Sequence, residues 1–179
     1  NLFRLEKLKI FKMVKIIKES ALNKNFLNNL IKKNLNIKEI YYFAGDSSVT
    51  RSFEQPEESL KSNVLGILNI LLSVKKNNKK IKIFNASSGQ FFGNNKKNFY
   101  NEKSNISPQS PYGVAKAAGF WFMKIFRETY NLHCCSGILF NHESPLRSKD
   151  FVTKKIINTS KKIKKNDKLN LYLGNIDIY

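Results

Sequence analysis

Several features are scarce or missing in this sequence, and each shortage excludes a class of protein. The chain has no run of 18 or more apolar residues, and its N-terminus has neither the apolar core nor the cleavage site of a signal peptide. Neither a membrane-spanning helix nor a secreted precursor is therefore predicted. We expect a cytoplasmic protein with no membrane partner.

Cysteine is nearly absent. The two cysteines, Cys134 and Cys135, are neighbours in the sequence and cannot easily form a disulfide with each other. They lie in an apolar run, where a free cysteine is usually a buried residue. The sequence thus predicts reduced core cysteines and no metal site.

Acidic residues are few. The 13 Asp and Glu residues are outnumbered by 32 Lys and Arg residues, which gives a net charge of +19. Such a balance can indicate nucleic-acid binding. Here the lysines are spread along the whole chain, arginine is rare, and no aromatic platform or recognised nucleic-acid module occurs. We expect no nucleic-acid partner, whereas a small phosphate-rich ligand would be attracted by the same charge.

A glycine-rich turn is also missing. None of the eight glycines forms Gly-x-Gly-x-x-Gly or Gly-x-x-Gly-x-x-Gly, the turn through which a dinucleotide pyrophosphate approaches the first strand of its binding fold. The chain starts at Asn1 without an initiator methionine and stops at Tyr179 after a strand-like run. We therefore expect a fragment whose first strand, first helix and second strand lie upstream.

The sequence does contain alternating strand and helix patterns. This alternation implies right-handed crossovers and a parallel sheet with helices on both faces. The predicted fold is α/β, a Rossmann-like doubly wound parallel sheet without its N-terminal strand or strands, and the continuous apolar run at 40–44 favours a central strand. Strands are predicted at 13–17, 40–44, 81–86, 134–140 and 169–173, and helices at 2–11, 23–34, 56–71, 112–130 and 149–165.

The residues with chemical potential lie around the third predicted strand. The strand at 81–86 brings Ser87 and Ser88 to its C-terminal tip, where ligands bind in open α/β sheets. A Ser-Pro helix start follows, and it places Tyr112 and Lys116 one helical turn apart on one face. An ammonium favours ionisation of a neighbouring phenol, so Ser, Tyr and Lys can take a proton from a sugar alcohol while its hydride leaves for a nicotinamide. Because Tyr-x-x-x-Lys is common by chance, two unrelated surface residues are the alternative.

Longer motifs are more specific than this spacing. They lie at 42–49, 52–56, 63–66, 87–88, 110–116, 137–147, 151–156 and 173–177. These segments resemble the extended short-chain dehydrogenase/reductases that act on sugar nucleotides, and within them the GDP-mannose 4,6-dehydratase family. Phe-Asn-His-Glu-Ser-Pro and Phe-Val-Thr-Lys-Lys are the most specific of the motifs. The resemblance covers most of the chain, from about residue 38 onward.

The resemblance implies an activity and a domain organisation. In that family, NADP takes a hydride from C4 of the sugar, water leaves across C5 and C6, and GDP-mannose becomes GDP-4-keto-6-deoxymannose. GDP-mannose as substrate, NADP as cofactor and a homo-oligomer of the full-length protein are therefore expected. Residues 1–140 are expected to form a partial NADP-binding Rossmann-like domain and residues 141–179 the start of the substrate-binding region.

Carried over by position, the resemblance also implies roles for single residues. Tyr112 is expected to be the base for C4 oxidation, Lys116 its partner on the cofactor ribose, and Ser88 the hydroxyl that the family usually supplies from Thr. The alternatives are a turn cap for Asn141 and His142 and a solvated surface lysine for Lys155. The implied cofactor contacts are Ala44, Gly45, Asp46, Ser47, Lys116, His142 and Arg147, and the implied contacts to the GDP part of the substrate are Asn141, Val152 and Lys155.

Gln90 departs from the family pattern at a catalytic position. The family has Glu two residues after the catalytic Ser or Thr, and a neutral amide cannot accept the C5 proton of the sugar. Elimination is then expected to be slow unless Glu102 or another group of the 93–108 loop substitutes. Three readings stay open: a dehydratase, a 4-keto-sugar reductase or epimerase of the same superfamily, and an inactive truncated homologue.

Overall fold

The computed structural model describes residues 2–94, 99–149, 151–165 and 169–173. The chain divides into two compact units, one of residues 17–140 and one that combines residues 1–16 with 141–179. One division falls between residues 140 and 141, where the sequence also predicts a boundary, but residues 1–16 group with the later segment. The ligands assigned to the two parts stay predictions.

The larger unit is built on a three-stranded parallel sheet. Its strands are β1 (Glu39–Tyr42), β2 (Lys82–Ser88) and β3 (Cys134–Leu139), in the order β1-β2-β3. Tyr42 is in register with Asn85, and Ile83 with Cys134. Parallel strands that alternate with helices confirm the predicted α/β, Rossmann-like class.

The helices of this unit begin where the sequence supplies capping residues. Asn23, Ser48 and Ser110 each accept a hydrogen bond from a backbone N–H in the first turn of the following helix, which satisfies a donor that the helix itself cannot pair. Short helices not predicted from the sequence lie at 49–54 and 89–92. The helices are α2 (Lys24–Lys33), α3 (Val49–Glu54), α4 (Pro56–Leu60), α5 (Gly66–Asn77) and α6 (Pro111–Tyr130), with a π-helical turn at Lys61–Leu65 and a 3₁₀ turn at Gly89–Phe92.

The π-helical turn places Gly66 against β1. A Cβ atom on Gly66 would overlap the hydroxyl of Tyr42, which donates a hydrogen bond to the carbonyl oxygen of Ser62. Only glycine leaves room for this close approach of helix and strand. The helix predicted from Pro56 onward is formed as one continuous helical run, of which Lys61–Leu65 is π-helical.

The main core lies between one face of the sheet and the helices α2, α5 and α6. A smaller aromatic cluster forms around Phe91 and Phe92 with Ala117 of α6. Both clusters hold α6 against β2 and its C-terminal end. The main core contains Ile31, Tyr42, Ile67, Ile70, Leu71, Val74, Ile81, Ile83, Met123, Phe126, Leu132 and Cys134.

The opposite face of the sheet carries exposed aromatic rings. Tyr41 is 62% exposed and Phe43 is 65% exposed, and their ring centroids lie 6.0 Å and 5.7 Å from that of Phe84. Among the described strands, β1 lies at the edge of the sheet and β2 in the middle, so the central strand predicted at 40–44 is not found in the described part of the chain. Cys135 also lies on this face and is exposed, so its predicted core position is wrong, whereas Cys134 is buried as predicted.

The smaller unit contains α1 (Phe3–Lys7), a 3₁₀ turn (Phe11–Met13) and α7 (Val152–Ile163). None of its described residues is buried. The strands predicted at 13–17 and 169–173 are wrong, since no strand is formed at either place; a β-strand needs a hydrogen-bonded neighbour, and these runs have none in the described part of the chain. The end of the last similar segment, 174–177, lies outside the described residues. In the part of the chain that is described, no helix is long and apolar enough to cross a membrane.

Candidate active site

The first turn of α6 is fixed by two buried serines. Ser110 caps the helix by accepting a hydrogen bond from the N–H of Gly113 at 3.0 Å. The N–H of Tyr112 donates to Oγ of Ser52 at 3.1 Å, and that hydroxyl donates to the carbonyl oxygen of Val49 at 2.6 Å. Each donor in this turn is thus paired, and Tyr112, which is 8% exposed, is held at a defined position.

Lys116 lies one turn further along α6, with its amine directed at the sheet. Nζ donates a hydrogen bond to the carbonyl oxygen of Ala86 at 3.0 Å and lies 5.5 Å from the ring centroid of Tyr112. Burial disfavours the charged amine and lowers the pKa of Lys116 to about 8. The helix and β2 therefore bring a phenol and an ammonium together, as the spacing predicts.

The tip of β2 supplies the serines. Ser88 is 8% exposed, and its Oγ accepts a hydrogen bond from the N–H of Gln90 at 3.3 Å. Oγ of Ser87 donates to the carbonyl oxygen of Lys116 at 3.4 Å. Ser88 is thus hydrogen-bonded to the 3₁₀ turn that carries Gln90. Ser87 is hydrogen-bonded to α6, the helix that carries Tyr112 and Lys116.

Gln90 lies beside the start of α6. A Cβ atom on Gly113 would lie 2.9 Å from the carbonyl oxygen of Gln90, so the backbone of the 3₁₀ turn and the first turn of the helix are in close contact. The side chain of Gln90 is exposed. The structure thus places Ser88, Gln90, Tyr112 and Lys116 at the carboxyl end of the middle strand.

The segment 44–47 leaves the sheet at the same edge, because it follows β1, which runs parallel to β2. Gly45 has φ +133°, a conformation that side chains disfavour. Asp46 is well anchored: its carbonyl oxygen accepts from Asn63 at 3.1 Å, its N–H donates to Ser62 at 3.2 Å, and its carboxylate pairs with Arg51 at 3.4 Å. Ala44 and Ser47 are exposed.

The remaining predicted ligand contacts lie in the smaller unit. His142 and Arg147 line one cavity of about 270 Å³ together with Arg4. The guanidinium of Arg147 lies 3.5 Å from the ring centroid of Phe151, and its Nε lies 3.7 Å from a carboxylate oxygen of Glu143. These contacts fix the orientation of the Arg147 side chain.

The three predicted substrate contacts are exposed. Asn141 follows β3 directly, and Val152, which is 57% exposed, opens α7. Lys155 donates a hydrogen bond to the carbonyl oxygen of Tyr172, so it is not simply solvated. The roles of Asn141, Val152 and Lys155 in binding a nucleotide stay predictions.

The sequence does not predict the contacts of two residues of the candidate sites, Ser52 and Arg4. Ser52 supports Tyr112 across 60 positions, and although it lies in one of the family-like segments, nothing in its neighbourhood reveals that contact. Arg4 shares a cavity with Arg147 but belongs to a segment in which only helical spacing is visible. Contacts over such distances depend on the folded chain.

A Rossmann-type parallel sheet, with serine at the tip of its middle strand and Tyr-x-x-x-Lys on the next helix, defines a short-chain dehydrogenase/reductase. The profile of the GDP-mannose 4,6 dehydratase family matches residues 1–179. The chain therefore belongs to the GDP-mannose 4,6-dehydratase family, and the resemblance found in the sequence is confirmed.

Individual relatives agree with the family profile. The GDP-mannose 4,6-dehydratase of Sinorhizobium fredii (strain HH103) is 38% identical over 141 residues, which are 78% of this chain and 40% of the relative. The matched part of the chain thus spans less than half the length of that relative.

Solved structures agree with the fold. One is DesIV, a dTDP-glucose 4,6-dehydratase from Streptomyces venezuelae with NAD and TYD bound. It superposes with a TM-score of 0.82 at 18% identity, and the match covers 90% of this chain and 49% of the DesIV chain. Another is RMD from Pseudomonas aeruginosa, complexed with NADPH. Its TM-score is 0.81 at 22% identity, and the match covers 97% of this chain and 61% of the RMD chain. At these identities the likeness is one of fold.

Proposed function

We propose that the protein containing this chain is a sugar-nucleotide dehydratase that converts GDP-mannose to GDP-4-keto-6-deoxymannose. The observation that carries the proposal is the cluster of Ser88, Tyr112 and Lys116 at the carboxyl end of β2, in a chain of the GDP-mannose 4,6-dehydratase family. Cytoplasmic localisation and a homo-oligomer belong to the same proposal.

The residues of the cluster suit an oxidation at a sugar hydroxyl. The Tyr112 phenolate takes the proton of the C4 hydroxyl and becomes the phenol, and the Ser88 hydroxyl hydrogen-bonds to the same oxygen. The Lys116 ammonium favours the phenolate by its charge. With a pKa of about 8, the amine is still mostly protonated at neutral pH, which is the state that this role needs.

A nicotinamide dinucleotide fits the donors at this edge of the sheet. Lys116 is held there by a main-chain carbonyl, so its ammonium has protons left for ribose hydroxyls. We assign Ala44, Gly45, Asp46, Ser47 and Lys116 to this group, with NADP as the form that the family resemblance favours, and His142 and Arg147 from the smaller unit by resemblance alone. The group supplies the hydride acceptor and donor when it is bound.

The substrate contacts in the proposal come from the smaller unit. Asn141, Val152 and Lys155 are assigned to the GDP part of the substrate on the family resemblance. The exposed amide of Asn141 and the amine of Lys155 are suitable donors for phosphate or base oxygens.

A second candidate, a 4-keto-sugar reductase, is favoured by one observation. Gln90 stands where dehydration needs a base for the C5 proton, and an amide cannot accept that proton. Glu102 lines a cavity of about 280 Å³ with Phe91 and Phe120. A reductase needs no C5 base and would tolerate Gln90.

One incubation separates the two candidates. The full-length protein that contains this chain is given GDP-mannose with NADP, and the product is analysed by mass spectrometry and by the absorbance of 4-keto sugars in alkali. Formation of GDP-4-keto-6-deoxymannose is the expected result. No product from GDP-mannose, together with NADPH-dependent reduction of the 4-keto compound, would overturn the dehydratase in favour of the reductase.

A further inference from the structure

The first turn of α6, which carries Tyr112, takes one of its hydrogen-bond acceptors from a distant helix. Ser110 serves two N–H groups of this turn: its Oγ accepts from Gly113 at 3.0 Å, and its carbonyl oxygen accepts from Val114 at 2.9 Å. The proline that opens the helix has no N–H. The N–H of Tyr112 donates instead to Oγ of Ser52 at 3.1 Å. A residue of α3 therefore completes the cap of α6.

The hydroxyl of Ser52 is held in one orientation. Ser52 is 0% exposed, and its Oγ donates to the carbonyl oxygen of Val49 at 2.6 Å while it accepts from Tyr112. A serine hydroxyl has a single proton to donate, so the bond to Val49 leaves the lone pairs of the oxygen for the tyrosine N–H. The main chain at Tyr112 is therefore located by α3.

The helix α3 is in turn anchored to the segment 44–47. Oγ of Ser48 caps α3 by accepting from the N–H of Arg51 at 3.1 Å. The N–H of Ser48 donates to the carboxylate of Asp46 at 3.1 Å, and the same carboxylate pairs with Arg51 at 3.4 Å. Contacts thus run without a break from Asp46, at the edge of the sheet assigned to the cofactor, through α3 to Tyr112.

We infer that Ser52 is a positioning residue, which holds the main chain of Tyr112 so that the phenol stays beside Lys116 in the geometry that the reaction needs. The inference rests on the proposed function and adds to it a buried residue that acts only through the tyrosine. Without the Ser52 hydroxyl, the buried N–H of Tyr112 loses its acceptor, and the turn must shift to find another. A displacement of about 1 Å at a reacting group can cost as much as about 10²-fold in rate.

The chain offers a matched pair of buried serines for the test. Ser59 of α4 is also 0% exposed, but its Oγ has no hydrogen-bond partner in the part of the chain that the structure describes. Ser52→Ala and Ser59→Ala therefore remove the same atom from equally buried positions, and only the first breaks a contact to Tyr112. In the full-length protein with GDP-mannose and NADP, Ser52→Ala is expected to lower kcat about tenfold and to change KM less than about twofold, whereas Ser59→Ala keeps both.

Two further variants separate the hydrogen bond from packing. Ser52→Cys keeps a side chain of similar size but offers only a weak acceptor, and Ser52→Thr keeps the hydroxyl. We expect kcat to stay low in Ser52→Cys and to recover in Ser52→Thr. Circular dichroism shows whether each variant is folded, and where Ser52→Thr is not, Ser52→Cys decides alone. A normal kcat in Ser52→Cys beside a low one in Ser52→Ala would assign the effect to packing and overturn the inference.

Hydrogen exchange tests the contact without any turnover. Mass spectrometry of a peptide over residues 111–116 of the full-length protein is expected to show exchange at least about tenfold faster in Ser52→Ala than in Ser59→Ala. Equal exchange in these two variants, or equal kcat, contradicts the positioning role. If the unchanged protein does not turn over GDP-mannose, the proposed function fails, and exchange still decides whether Ser52 fixes Tyr112.

Discussion

The amine of Lys116 is held between helix and sheet by a main-chain carbonyl. Burial lowers its pKa from 10.5 to about 8, so between these two pH values the unfolded chain binds a proton that the folded chain has released. Stability rises with pH wherever the unfolded state binds more protons. The buried charge therefore destabilises the fold below pH 8, and this cost disappears as the pH rises to 10.5.

Lys116→Met tests this coupling. The variant lacks the titrating amine. The free energy of unfolding of the unchanged protein, minus that of the variant, is therefore expected to increase by up to about 3 kcal/mol between pH 8 and 10.5. Urea unfolding at several pH values measures the difference. Lys124→Met, which changes a lysine of the same helix whose side chain is 43% exposed, is the matched control, and an equal pH dependence in both variants would contradict the burial of the Lys116 charge.

Gln90→Glu tests the proposed defect in elimination. The new carboxylate lies two residues after Ser88, where it can accept the C5 proton, and a positioned base is worth about 10²–10⁴ in rate. We expect the full-length protein to form the 4-keto-6-deoxy product at least about tenfold faster. Gln109→Glu, which changes an exposed glutamine just before α6, is the control; a rate unchanged by Gln90→Glu would show that the amide never limited the reaction.

At the level of residues, the sequence predicts which side chains come together when the partners are close in the chain. Tyr112 and Lys116 are one helical turn apart, and Ser88 lies at the end of an apolar run, so local rules place all three. Ser52 could not be found in this way, because its hydrogen bond to Tyr112 spans 60 positions. Such a contact exists only after α3 and α6 have packed.

At the level of elements, the junction of α5 with β1 has the least room. In Gly66→Ala the added methyl group would overlap the Tyr42 hydroxyl, and a loss of about 1–3 kcal/mol is expected from overpacking. Tyr42→Phe removes the hydroxyl, so the double variant is expected to be more stable than the two single losses predict. Chemical unfolding of the four proteins measures the coupling, and strict additivity would contradict the steric explanation.

The sequence predicts elements well when a packing partner lies within the chain. The helix predicted at 23–34 is α2, and the helix predicted at 112–130 is α6 with one added residue, because caps and apolar spacing mark both. The runs at 13–17 and 169–173 have strand-like composition but no neighbour that completes their hydrogen bonds. Composition alone cannot reveal whether a neighbour is present, and for the same reason it does not predict the order β1-β2-β3 of the described strands.

At the level of the whole molecule, the two units differ in their cores. The helices α5 and α7 both have 12 residues, but α5 contains six buried residues and α7 contains none. Hydrogen exchange is therefore expected to be much slower in α5 than in α7, since protection follows burial and local packing. Exchange followed by mass spectrometry gives both values in one experiment, and equal protection would contradict this division of stability.

The aromatic face of the sheet determines how the protein behaves at high concentration. A net charge of +19 keeps copies apart in dilute buffer, where the Debye length is about 30 Å at 0.01 M salt, but at 0.15 M it shrinks to about 8 Å. The rings of Tyr41, Phe43 and Phe84 can then contact those of another copy with little charge repulsion. Solutions that are clear in low salt are expected to become turbid in physiological salt, and Tyr41→Lys, measured by light scattering, is expected to restore their clarity.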